Sequence, residues 1–140
     1  GVMKMTPVKI KKIVGKNQLE LPFATTVPSQ EIEKIVMEWY YKQAHIYFSK
    51  RIDFFSKKLG VPRPQLKLSR AKTQWGSCNS RRIIHLNWRL MQLSISLVDY
   101  VIAHELSHLI EMNHSSAFWR TVESIFPNYV ATRNELKRIR

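Results

Sequence analysis

Three of the chain's five histidines fall within residues 104–114, in the run His-Glu-Leu-Ser-His-Leu-Ile-Glu-Met-Asn-His. His104 and His108 stand four apart in an apolar, helix-forming segment, so on a helix they share one flank, one turn above the other. Val98, Ile102, Leu106 and Leu109 form the stripe that turns into the core, and Glu105 projects between stripe and flank. This H-E-x-x-H arrangement lets two imidazoles reach one metal ion at about 2.0–2.1 Å each. Ser96 and Asp99, three apart, predict a capping box at the helix start. A fold that uses this segment must bury one helix and still keep its histidine flank accessible.

His114 follows His108 by six residues and lies past the predicted helix end at Met112 or Asn113, so a turn can bring it back as a third ligand. Metzincins share this H-E-x-x-H-x5-H spacing but have glycine where Glu111 stands here. Without that glycine the helix is expected to continue to about residue 112, in a different family. Three protein ligands leave a fourth position for water, as catalytic zinc requires. A structural zinc would call for four ligands and several thiols, and Cys78 is the only cysteine. The same count excludes an internal disulfide. Glu111 shares His104's flank and either orients a ligand or is a plain solvated acid.

The rest of the 140 residues reads as one globular unit. Residues 8–14 and 17–23 predict a hairpin around Gly15-Lys16-Asn17, which makes residues 1–28 an amino-terminal β-hairpin region. Ser29 opens a helix of about 45 Å with a stripe from Ile32 to Leu59, closed by Gly60 and Pro62. Residues 65–70 and 83–88 alternate as strands, joined through a turn over Trp75–Ser80, and are expected to lie adjacent in a mostly antiparallel sheet. Ser115 or Ser116 caps a helix that sets Phe118, Trp119, Val122 and Ile125 on the histidine helix. No apolar run approaches the ~20 residues of a membrane span, and the expected location is the cytoplasm.

Charge adds one further expectation. The formal net charge is +13, and between Asp53 and Asp99 nine Lys and Arg occur without a single acid. If residues 65–70 and 83–88 pair as a hairpin, Arg70, Lys72, Arg81 and Arg82 gather near one turn. Such a strip either attracts nucleic acid or nucleotides, or serves as a solvated face.

The runs Gln74-Trp75-Gly76-Ser77-Cys78, Ile84-His85-Leu86-Asn87-Trp88-Arg89-Leu90 and residues 104–119 together resemble the YgjP-like metallopeptidase domain, over about Asn17 to Leu136. The resemblance implies a zincin-like α+β fold, with a small, mostly antiparallel sheet against a long helix and the H-E-x-x-H helix. It implies His104, His108 and His114 as ligands of one zinc ion, and Glu105 as the catalytic residue. Members of that family usually carry a longer amino-terminal stretch, so residues 1–28 are expected to be its remnant and 29–140 the catalytic domain. Related domains include proteases that clear proteins crosslinked to DNA, and some members carry the label of nucleotide pyrophosphatase.

The function expected is a zinc-dependent hydrolase, a metallopeptidase using zinc-bound water with Glu105 as general base. The alternatives are a phosphoanhydride hydrolase, or a DNA-associated protease recruited by the basic surface. The strand 83–88 is expected to pair with an extended peptide. His85, Asn87, Arg81 and Arg82 are its candidate substrate contacts, and His85, Asn87, Tyr129 and Arg133 the candidates for stabilising an oxyanion.

Overall fold

In the computed structural model, which describes residues 2–4 and 29–139, β1 (Val2–Lys4) precedes the long helix α1 (Ser29–Leu59). The predicted hairpin within residues 8–23 lies outside the described residues. Gly60 ends α1 in a left-handed conformation, φ +78°, and the amides of Gly60 and Val61 return to the Ser56 carbonyl at 2.9 and 3.0 Å. Of the predicted stripe only Val36, Ile52 and Phe55 are buried, and the core-facing side also takes Ala44 and Phe48, which that stripe did not include. Ile35, Trp39 and Ile46 are exposed because the helix packs on one side and they lie off it.

Three strands follow, β2 (Gln65–Ser69), β3 (Gln74–Cys78) and β4 (Ile83–Asn87), and the sheet order is β1-β3-β4-β2. β3 pairs antiparallel with β4 and with β1. The segment expected to be a turn, Trp75–Ser80, is thus mostly the strand β3, and the turn is confined to the residues after Cys78. Asn79 makes that turn: its side-chain oxygen accepts from the amides of Arg81 and Ile83 at 2.9 and 3.1 Å, and Arg82 takes φ +62°.

With β3 inserted on the far side, β2 and β4 pair in parallel, Gln65 opposite Ile83 and Ser69 opposite Asn87. Two expectations fall with this. Strand 83–88 is interior, bounded by β2 and β3, and has no free edge to offer a peptide. Arg70 and Lys72 follow one end of the β2–β4 pair while Arg81 and Arg82 precede the other, about 16 Å apart over five residues. The basic residues therefore do not gather into one strip. Several are occupied locally: Arg63 pairs with Asp53 at 2.7 Å, Arg82 donates to the Pro62 carbonyl at 2.8 Å, and Arg70 meets the Tyr41 hydroxyl.

A 3-10 segment (Trp88–Gln92) leads into α2 (Ile95–Ser107), α3 (Ser116–Ile125) and α4 (Tyr129–Lys137). The cap of α2 is Ser94 rather than Ser96. Asp99 has other work: Arg51 of α1 donates to both its oxygens, at 2.8 and 2.7 Å, clamping α1 to α2. Every residue of α2 from Leu97 to Ser107 is buried, with Val98, Ile102 and Leu106 in the core. Such a helix is central to the fold, and its polar residues are there at a cost that needs a reason.

Candidate metal centre

His104, Glu105 and His108 are 4%, 0% and 1% exposed. The helix that carries them ends at Ser107, five residues before the predicted end, with His108 as its cap. The amides of His108 and Leu109 bond three residues back, to the carbonyls of Glu105 and Leu106, which tightens the last turn. His108 keeps helical backbone angles, so the one-turn relation to His104 survives, and the ring centroids lie 5.1 Å apart. The early end lets the chain double back without a glycine at position 111 and sets His114 against His104, Nε2 to Nε2 at 3.3 Å.

One ligand atom from each of His104, His108 and His114 lies within 4.8 Å of the others. Two nitrogens bound to one tetrahedral ion at ~2.0–2.1 Å stand about 3.3 Å apart, which is the His104–His114 separation. The Nδ1 of His108 faces the Glu111 carbonyl at 3.0 Å. A carbonyl only accepts, so Nδ1 carries the proton and Nε2 is left with its lone pair free. That Nε2 is buried and has no hydrogen-bond partner. Glu111 therefore meets His108 through its backbone carbonyl. His104 has Nδ1 at 3.4 Å from the buried Tyr100 hydroxyl. Burial, then the neighbouring imidazoles, push the His104 pKa down to about 2, and burial pushes His108 down to about 4. His114 is lowered too, by burial and by the charge of Arg133. All three are held neutral, the form in which imidazole binds metal. These residues fit a metal ion.

Both carboxyl oxygens of Glu105 are buried without a partner. Burial pushes its pKa up to about 8. An unbonded buried acid costs stability, and a nearby cation or a reacting proton is what would compensate it. Gly76 makes room for it. A Cβ there would lie 3.2 Å from the His85 carbonyl oxygen and from Val101 Cγ1, and 3.3 Å from Glu105 Cγ. The Trp-Gly-Ser-Cys run thus has a physical reason for its glycine: strand β3 passes directly beneath the acid.

The wall behind the imidazoles is aromatic. Ser115 caps α3, accepting from the Phe118 amide, and so turns the first residues of α3 over the cluster. Phe118 is fully buried, stacked on His108 at 4.4 Å and edge-on to His104 and His114 at 5.0 and 4.9 Å. Trp119 was expected only to pack, yet it stacks on His114 at 6.0 Å and meets His104 at 5.8 Å. Its place five residues after His114 is the one sequence signal for this contact.

The other candidates go elsewhere. Leu86 lies opposite Gly76 and shares its face toward α2, so His85 and Asn87 are on the opposite face of β4. Asn87 is also fully buried, donating to the carbonyls of Ala71 and Gln74 at 2.6 and 3.0 Å and accepting from the Arg89 amide at 3.0 Å. It ties down the loop between β2 and β3 and has no surface for substrate. Arg81 and Arg82 belong to the β3–β4 turn, beyond Cys78. Cys78 is buried, and burial followed by the charge of Glu105 pushes its thiol up to about 11, an inert group.

The family model of the YgjP-like metallopeptidase domain matches residues 3–139. Among solved structures, the metallopeptidase zymogen of Pyrococcus abyssi abylysin is similar at 26% identity and a TM-score of 0.58, over 63% of this chain and 90% of that one. The zymogen of Methanocaldococcus jannaschii jannalysin shares the fold at 20% identity and a TM-score of 0.55, over 64% and 91%. No curated protein matches the chain.

Proposed function

Because the chain belongs to the YgjP-like metallopeptidase domain family and is a metal-dependent hydrolase, we propose that His104, His108 and His114 hold one zinc ion and that Glu105 is the general base of peptide-bond hydrolysis beside it. The observation that carries this is Glu105 itself, whose two oxygens are buried and unpartnered on the helix between the two imidazole positions. Zinc in such a site supplies Lewis acidity, acidifying water toward a pKa of about 7 and polarising a carbonyl oxygen.

The chain's residues do the rest. Glu105 takes a proton from water as its oxygen attacks the peptide carbon, then delivers that proton to the departing nitrogen. Phe118 and Trp119 keep the ligand rings in place. His108, tied to the Glu111 carbonyl, presents Nε2 in one tautomer. The catalytic unit is residues 29–140, and residues 2–4 of the amino-terminal region add the strand β1 to its sheet. A peptide or unfolded protein is the substrate class this supports.

The test is Glu105→Gln. Glutamine keeps the shape, so one equivalent of zinc should remain bound by elemental analysis, while peptide hydrolysis falls by about 10²–10⁴-fold. Full activity in this variant refutes the assignment.

A further inference from the structure

Arg133 sits on α4, four residues after Tyr129, and both side chains rest on Trp119. Its guanidinium Cζ lies 4.8 Å over the indole, and Tyr129 stacks on the same ring at 5.4 Å and 18°. Trp119 in turn stacks on His114 and meets His104. A positive charge is thus pinned one indole away from two of the three imidazoles. The side chain is half-buried, and the ion pairs among the described residues, Arg51–Asp99 and Arg63–Asp53, do not include it. A fixed cation beside a cluster suited to another cation is repulsive unless an anion joins them. Arginine is also the right type for a fixed donor, with five N–H groups in a planar fork that never gives up its proton.

We propose that Arg133 is a catalytic residue, whose guanidinium donates hydrogen bonds to the oxyanion that forms as the peptide carbonyl is attacked. This rests on the peptidase reading above. When the water oxygen bonds to the carbonyl carbon, the π pair moves onto the carbonyl oxygen, and Arg133 stabilises that charge. As the C–N bond breaks the pair returns, and the nitrogen leaves with the proton carried by Glu105. No proton passes through Arg133, so its loss lowers the rate by the same factor at every pH. The stack on Trp119 holds the fork in place before substrate arrives.

The experiment compares zinc-loaded wild type with Arg133→Met and Arg133→Lys. The probes are a peptide substrate and a phosphinate peptide of the same sequence, whose tetrahedral anion mimics the attacked carbonyl. Arg133→Met is expected to keep one zinc and its melting temperature, to lose about 10²–10³-fold in kcat with KM within about threefold, and to lose phosphinate affinity by the same factor as kcat/KM. Arg133→Lys should recover part of both and leave the shape of the pH profile unchanged. Phosphinate binding that is undiminished in Arg133→Met, or a raised KM with kcat preserved, overturns the proposal. So does loss of zinc or of folding in both variants. If the wild type cleaves no peptide, the peptidase reading fails, and the phosphinate comparison by calorimetry still decides whether Arg133 binds the anion.

Discussion

The two halves of the candidate metal centre hold the same kind of side chain in opposite ways. His104 and His108 ride on a helix buried all round, one turn apart, with 4% and 1% of their surface exposed. His114 stands in an exposed turn and is positioned by contacts with Phe118 and Trp119. The helical pair is set by backbone geometry and belongs to the core. The third imidazole is set by side-chain packing, is itself exposed, and meets the core through Phe118. A rigid pair and a more adjustable third imidazole is a division that substitutions can separate.

The largest separation is expected in metal affinity against stability. His108→Ala and His114→Ala should each weaken zinc binding more than 100-fold, since even indirect disturbance of a ligand costs about 10–100-fold. Their effects on folding should differ. Without zinc, His108→Ala opens a cavity in the core beside Phe118, while His114→Ala is expected to stay within about 0.5 kcal/mol of wild type by urea titration. Equal destabilisation by both would break the comparison.

Phe118 joins the halves, touching all three imidazoles. Phe118→Ala should cost about 3–5 kcal/mol, the usual penalty for emptying a buried aromatic site. Zinc affinity should fall with it, because His114 loses its wall. A variant that is destabilised but binds zinc normally would show that the exposed turn holds itself.

Acid offers a third test on the protein with zinc removed by chelation. The unfolded histidines protonate near 6.5, while the folded His104 and His108 stay neutral to about 2 and about 4. At these two positions the unfolded state therefore binds more protons across this window. The histidines' contribution is fully present above pH 6.5 and is lost as pH falls toward 4. Glu105, raised to about 8 in the folded state, works in the opposite sense and offsets part of that loss. Substituting His108 should flatten this loss more than substituting the exposed His114, as read from denaturation midpoints at pH 7 and pH 5.

The smallest expected effect is that of Gly76→Ala. The new methyl meets a backbone oxygen at 3.2 Å, so strand and helix must part by a few tenths of an ångström, at about 1–3 kcal/mol. Glu105 moves with them, and activity should fall more than zinc content. An unchanged rate would mean the acid does not depend on its strand.

Much of this was legible from residue order, wherever a local rule sufficed. The helix from Ser29, its stop at Gly60, the i and i+4 pairing of His104 with His108, and the Ser115 cap all depend on neighbours within one or two turns. The Trp75–Ser80 segment misled because Gly76, Ser77, Asn79 and Ser80 are turn residues by composition. Here the glycine marks a close crossing of strand and helix, which composition cannot distinguish from a bend. The end of α2 was misplaced for a related reason. Residues 108–112 can continue a helix, and only the packing of Phe118 and the return of His114 make stopping at Ser107 preferable.

Sequence alone thus determined the chemistry on offer: three imidazoles, one acid between two of them, and a helix to carry the pair. Tertiary structure alone decided that β2 and β4 run parallel, that Asn87 and His85 face away from the cluster, and that the basic residues do not gather at one turn. It also placed Arg133 over Trp119. Local geometry follows from bonded spacing, which residue order specifies. Strand order and the approach of α4 depend on which distant surfaces bury together, and that choice is made by the whole core at once.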